Sequence, residues 1–174
     1  MENQVVYRLV EEVRLQCKQA NYAFQNIRGS LSALDSERVF FFVDGFVGHA
    51  VQVSRLFWPD RAASKARGER LRSELKVDDQ SPLRLHDIRE AVQHPDEYFE
   101  DWLKPLENRG YVDMNIMPVG AIGDFKPDKF HRSLDPETFH YHLRGIGCPL
   151  RSLADELARI EAFTQAWLKT HTPW

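Results

Sequence analysis

Val6, Leu9, Val13, Cys17, Ala20, Phe24 and Ile27 recur at steps of three and four. They draw one apolar stripe down a long first helix, and Gly29 offers it a C-terminal stop. A second helix starts at a capping Asp35 or Ser36 and ends against Pro59. Val39, Phe42, Val43, Phe46, Ala50, Val53 and Phe57 make its stripe, which Phe40, Val47 and Val51 widen. A helix so broadly apolar belongs at the centre of a bundle or against a second subunit. The stretch "PDRAASKARGERLRSELKVDDQSP" reads as a basic helix followed by a polar loop. Leu83, Leu85, Ile88 and Val92 open the next helix, which Tyr98, Phe99, Trp102, Leu103 and Leu106 continue. In the closing helix Pro149 occupies the first turn, and Leu150, Leu153, Leu157, Ile160 and Trp167 form the buried stripe.

Between residues 111 and 147 the period changes. "YVDMNIMPVGAIGDF" and "KFHRSLDPETFHYHLRG" carry β-forming residues and a turn at Asp135, Pro136 and Glu137. Pairing Leu134 with Phe139 sets Ser133 against His140 and His131 against His142. Leu134, Phe139, Tyr141 and Leu143 then share the apolar face. Asp113, Asp124 and Asp128 read as turn formers. The expected architecture is mainly α, an antiparallel bundle of about four or five helices. It forms one domain over residues 1–174, with a small β-hairpin flap inserted around 111–147.

A formal net charge of −3 excludes a protein that coats nucleic acid by bulk charge, while leaving room for a local basic patch. Cys17 and Cys148 have no CxxC partner pattern and read as small buried hydrophobes in a reducing compartment. Acidic residues interrupt the N-terminal apolar run, and no uncharged run approaches the ~20 residues of a membrane span. The expectation is a soluble, cytoplasmic protein with no membrane association. With no P-loop, GxGxxG, HExxH or GxSxG motif, neither a cofactor nor the common hydrolase chemistries are expected.

The stretch "DIREAVQHPDEYFED" holds the candidate chemistry. Arg89 and His94 stand about 7.5 Å and about 140° apart on a helix, flanking one edge. Pro95 removes a backbone donor and disfavours helical geometry at His94, which predicts a kink there. Asp96 and Glu97 would then lie at the positive start of the following helix. Arginine can hold a phosphate, and histidine can move a proton near neutral pH. Those are the needs of metal-free RNA cleavage, in which the 2′-hydroxyl attacks the neighbouring phosphorus. The plainer reading is a surface arginine and a helix-end histidine.

Arg61, Lys65, Arg72 and Lys76 fall within about 60° on a helical wheel and suit a phosphate backbone. The plainer reading is a solvated face with Glu69 and Glu74 as partners. His131, His140 and His142 could share a hairpin face, but their spacing fits no established zinc motif, so no metal is expected.

The run "IREAVQHPDE", with the long apolar helices, resembles the HEPN superfamily (higher eukaryotes and prokaryotes nucleotide-binding), and more closely its bacterial HEPN-like members. "FWP" before "RGERLR", and "DPET" before the last helix, look like that group as well. The likeness covers most of the chain. It implies a homodimer in which Arg89 and His94 of two subunits converge as an endoribonuclease of the toxin or defence kind. Glu90, Asp96 and Glu97 would support the pair. The alternative it leaves open is a non-catalytic helical module that dimerises and binds a nucleotide or a protein, such as an antitoxin.

Overall fold

The computed structural model describes residues 2–106, 110–121, 123 and 126–172; the side chain of Leu106 and all of Asp124 lie outside the described residues. The chain is mainly helical, with a small three-stranded antiparallel sheet. It forms two compact units, and three long helices contribute to both. They are α1 (Glu2–Ser32), α2 (Ser36–Phe57) and α6 (Leu150–Thr170). Among the described residues no helix is long and apolar enough to cross a membrane.

The first unit comprises Met1–Phe24, Gly45–Leu85 and Ser152–Trp174. Val10, Val13, Cys17, Phe46, Phe57 and Leu157 are among its fully buried side chains. Phe24 packs on Phe46 at 5.4 Å, and Gln16 bonds His49 at 2.7 Å, so α1 and α2 pair in opposite directions there. Asn21 donates to Glu161, and Tyr7 lies on Trp167, which gives α1 and α6 the same relation. Trp167 is half-buried rather than part of the inner stripe, because its indole N–H reaches out to Glu74 at 3.0 Å. The basic segment folds as a 3-10 turn, Ala62–Ser64, followed by α3 (Lys65–Glu74). Gly68 of α3 permits a close approach: a Cβ there would lie 2.5 Å from Pro59 Cδ and 2.6 Å from the Phe57 carbonyl oxygen.

The second unit comprises Gln25–Asp44 and His86–Arg151. It holds α4 (His86–Gln93), α5 (Pro95–Leu103) and strands β1 (Arg132–Leu134), β2 (His140–Leu143) and β3 (Ile146–Pro149). The hairpin expected from sequence is therefore a three-stranded sheet in the order β1-β2-β3. Pro149 ends β3 instead of opening α6. Ser133 pairs with His142 and Leu134 with Tyr141, two residues out from the expected register. The cause is Phe139, whose φ of +56° places it in the turn, with its N–H on the Asp135 carbonyl. The apolar face survives the shift, since Leu134, Phe139, Tyr141 and Leu143 are all buried.

Helix ends account for the other differences. α1 runs through Gly29 and stops where Leu34 takes φ +55°. Leu34 N–H bonds the Leu31 carbonyl and Asp35 N–H the Ser30 carbonyl, a Schellman closure built on leucine instead of glycine. Asp35 then caps α2, its carboxylate accepting from the Arg38 N–H at 3.0 Å. Leu83 and Leu85 are buried in turns before α4, so they precede the helix they seemed to open. Nearly all the widened stripe of α2 is buried within one chain, including Phe40, Val47 and Val51. That apolar breadth is therefore not spare surface for a second subunit.

Two substitutions test this account. Gly68→Ala should lower the unfolding free energy by about 1–3 kcal/mol through overpacking. Leu34→Gly, at a position 91% exposed with left-handed geometry, should raise it by about 1 kcal/mol. Denaturant midpoints at unchanged slope would measure both.

Candidate functional site

Helix α4 ends at Gln93, and α5 begins at Pro95. Between them His94 adopts φ −122° and ψ +61°, a conformation that breaks the helix as the following proline requires. Its own N–H still closes on the Glu90 carbonyl at 3.0 Å, and its carbonyl accepts from Tyr98 N–H at 3.1 Å. The imidazole makes no capping bond to α5 and is exposed. Asp96 and Glu97 occupy the first turn of α5, also exposed, while Glu90 is half-buried. Arg89 is only 7% exposed. The two members of the motif thus part company: His94 meets solvent, and Arg89 on the preceding turn faces inward with Ile88 and Ala91.

A different arginine reaches the break. The Ala91 carbonyl would bond the N–H four residues on, but that residue is Pro95, which has none. Arg144 supplies the missing donor through Nη2 at 3.4 Å and also gives Nη1 to the Pro95 carbonyl at 3.0 Å. Its guanidinium lies 5.9 Å from the Phe99 ring centre. Arg144 comes from the β2–β3 turn, where it and Gly145 take φ +52° and +85°. A type I′ two-residue hairpin has positive φ at both positions, and the glycine of "LRGI" is its signal in the sequence. Phe99 also meets His131 at 4.7 Å, and Trp102 meets His131 at 5.5 Å and Tyr111 at 5.2 Å. Trp102 donates its indole N–H to the Asp128 carbonyl at 2.6 Å. None of the residues of α5 is fully buried, so its aromatic face stays partly open.

Asp113, expected only to shape a turn, is an ion-pair partner. Arg132 grips it with two bonds of 2.9 and 2.8 Å and reaches Asp44 at 3.2 Å, and Tyr141 donates its hydroxyl to Asp44. Burial pushes the Asp113 carboxyl up, but the Arg132 bonds outweigh it and hold the group below its usual range. Asp44 goes the other way, because burial outweighs its single longer bond to Arg132. The network ties the 112–115 segment, which bridges to Phe130 and Ser133, against β1. It is a structural clasp.

The histidines do not gather. His140 and His142 lie 4.7 Å apart on β2, whereas His131 sits in the aromatic cluster beside Trp102. Among the described residues no group of three His, Cys, Asp or Glu side chains could hold a metal.

Nor does the basic segment form one helical stripe. Arg61 precedes the 3-10 turn, and Lys76 lies beyond α3 at φ +52°. Arg72 is turned inward, donating to the Phe57 carbonyl, lying over Trp58 and pairing with Asp79 at 3.6 Å. Lys76 rests its ammonium over Phe163. Lys65 and Arg72 share a cleft of about 210 Å³ with Trp58, Pro59 and Glu69, where the charges are mixed.

No family model, curated protein or solved structure matches this chain. The functional reading therefore rests on the geometry and on the resemblance seen in the sequence.

Half-burial gives the protein a predictable response to acid. Burial lowers the proton affinity of His131, and burial and then the neighbouring His140 lower that of His142. The folded chain thus holds fewer protons than the unfolded chain through the ordinary histidine range, so stability present above that range is lost on acidification. The unfolding free energy should fall from about pH 7.5 to about pH 5.5. A His131→Phe variant should lose part of that slope, as read from denaturant midpoints across the interval.

Proposed function

We propose that the chain is a HEPN-type, metal-independent endoribonuclease that works as a homodimer of antiparallel helical bundles. The observation carrying this reading is His94, an uncapped imidazole exposed at a helix break. In the reaction, the ribose 2′-oxygen bonds to phosphorus as its proton passes to a neutral imidazole. The bond from phosphorus to the 5′-oxygen breaks, and an imidazolium protonates the leaving oxygen. One His94 ring can perform one of these transfers at a time. Two-fold pairing of chains brings a second ring, so that acid and base act together. Arg89, being buried with Ile88 and Ala91, is assigned no contact with the RNA. Arg61, Lys65 and Lys76 remain exposed and would touch the RNA backbone weakly and without sequence preference.

The burial of Arg89 favours a second reading, a non-catalytic HEPN-like module whose α4–α5 surface binds a partner protein or nucleotide. Asp96 and Glu97 beside His94 lean the same way, since they repel a polyanion.

Mixed RNA incubated with the purified chain in excess chelator separates the two. The ribonuclease reading expects cleavage, reduced at least about 10²-fold in His94→Ala. Light scattering at micromolar concentration should report a dimer. Intact RNA, or equal cleavage by wild type and His94→Ala, would leave the binding module in its place. In a cleaving enzyme, Asp96→Asn with Glu97→Gln should strengthen RNA binding and steepen its salt dependence, whereas a lysine substitution in the basic segment should flatten it.

A further inference from the structure

We propose that Arg144, rather than Arg89, is the arginine that binds a phosphate of the RNA backbone beside His94. The inference rests on reading the α4–α5 junction as the working site.

Arg144 reaches both sides of His94 in the chain, bonding the carbonyls of Ala91 and Pro95. A guanidinium has five N–H donors in a fixed fork, and among the described residues Arg144 makes two bonds, one through each terminal nitrogen. Its Nε is buried without a partner among the described residues. Two further buried nitrogens in that condition border the same junction. Gln93 Nε2 belongs to the residue before His94, and His131 Nδ1, a donor in the tautomer protonated there, belongs to the ring that shares Phe99 with Arg144. Buried polar atoms without partners are uncommon, and each calls for a physical account. A phosphate offers several oxygen acceptors and no obligatory donor, which answers a site short of acceptors. The start of α5 adds its own donors, left uncapped by His94. The outlying carboxylates of Asp96 and Glu97 hold the site to one phosphate group rather than a run of them.

The role assigned to Arg144 is electrostatic. Once the 2′-oxygen bonds to phosphorus, negative charge grows on the non-bridging oxygens, and a fixed guanidinium fork stabilises it. Arg144 also positions His94, because the same side chain secures the break that presents the ring.

Titration of full-length labelled protein with inorganic phosphate, and separately with a deoxydinucleotide, tests the assignment. The deoxydinucleotide carries a backbone phosphodiester that no 2′-hydroxyl can cleave. The His94 ring and Arg144 Nε–H resonances should move together along one saturating curve with either probe. Binding should weaken at least tenfold in Arg144→Gln, partly recover in Arg144→Lys, and change little in Arg89→Gln. Should Arg144→Gln fail to fold, the wild-type titration and Arg144→Lys decide. A wild type whose two resonances ignore the diester, or variants that bind it equally well, would overturn the proposal. RNA cleavage assayed in parallel keeps the two ideas apart. Phosphate binding without cleavage removes only the ribonuclease, and cleavage with no Arg144 response removes only this inference.

Discussion

Helix α4 runs into Pro95, and from there the ladder of backbone bonds lacks a donor. The Ala91 carbonyl is orphaned, the backbone at His94 leaves helical space, and α5 restarts one residue later. An unsatisfied carbonyl at a partly covered position costs on the order of 1–3 kcal/mol. The second unit meets this by sending Arg144 from the β2–β3 turn to the break. Several features follow from that one contact. The turn must present an arginine at a left-handed position, β2 must carry it to the right height, and Phe99 must face the guanidinium. The exposure of His94 fits the helix period as well, because a continuous helix would set the ring between Asp87 and Glu90 and away from Ile88 and Ala91.

The Arg132 clasp is the counterpart in the same unit. The described residues between Gly110 and Phe130 form two 3-10 turns and pair with the sheet segment through isolated bridges at Val112 and Asn115. Arg132 fastens that segment by its bidentate grip on Asp113 and holds Asp44 at the end of α2's share of the unit. Charge is thus used twice for architecture in this unit, once on a carboxylate pair and once on helix carbonyls. In the proposed chemistry it is the second arginine, at the helix break beside His94, that meets the phosphate.

Much of the helical content was legible because burial on long helices repeats at the period of the helix itself. Val13, Cys17, Ala20 and Ile27, and the stripe of α2, lie where that period puts them. The kink at His94 was legible too, since proline acts on its neighbours locally. Helix ends were not, because two of the Schellman closures use Leu34 and Lys76, and glycine is the residue a reader looks for. The strand register was missed for a similar reason: Phe139 sits at positive φ, where a bulky residue is unexpected. The site was half legible. The exposed histidine lies on the solvent side of the α4 period, but the arrival of Arg144 depends on contacts some fifty residues apart in sequence. No periodicity encodes such a meeting. The one hint was "RG" between two short β-like runs.

The two cysteines have a bearing on how the protein opens. Cys17 lies in the first unit and Cys148 in the second, both buried and free. Burial pushes the Cys17 thiol far up and the Cys148 thiol up to about 12, so neither offers thiolate in the native state. Reaction with a thiol reagent must therefore wait for local or global unfolding. Each unit carries its own clock. If the two thiols are blocked at the same rate under native conditions, the units open as a single cooperative body. If Cys148 reacts first, the sheet and the helix break it supports belong to the less stable part of the landscape.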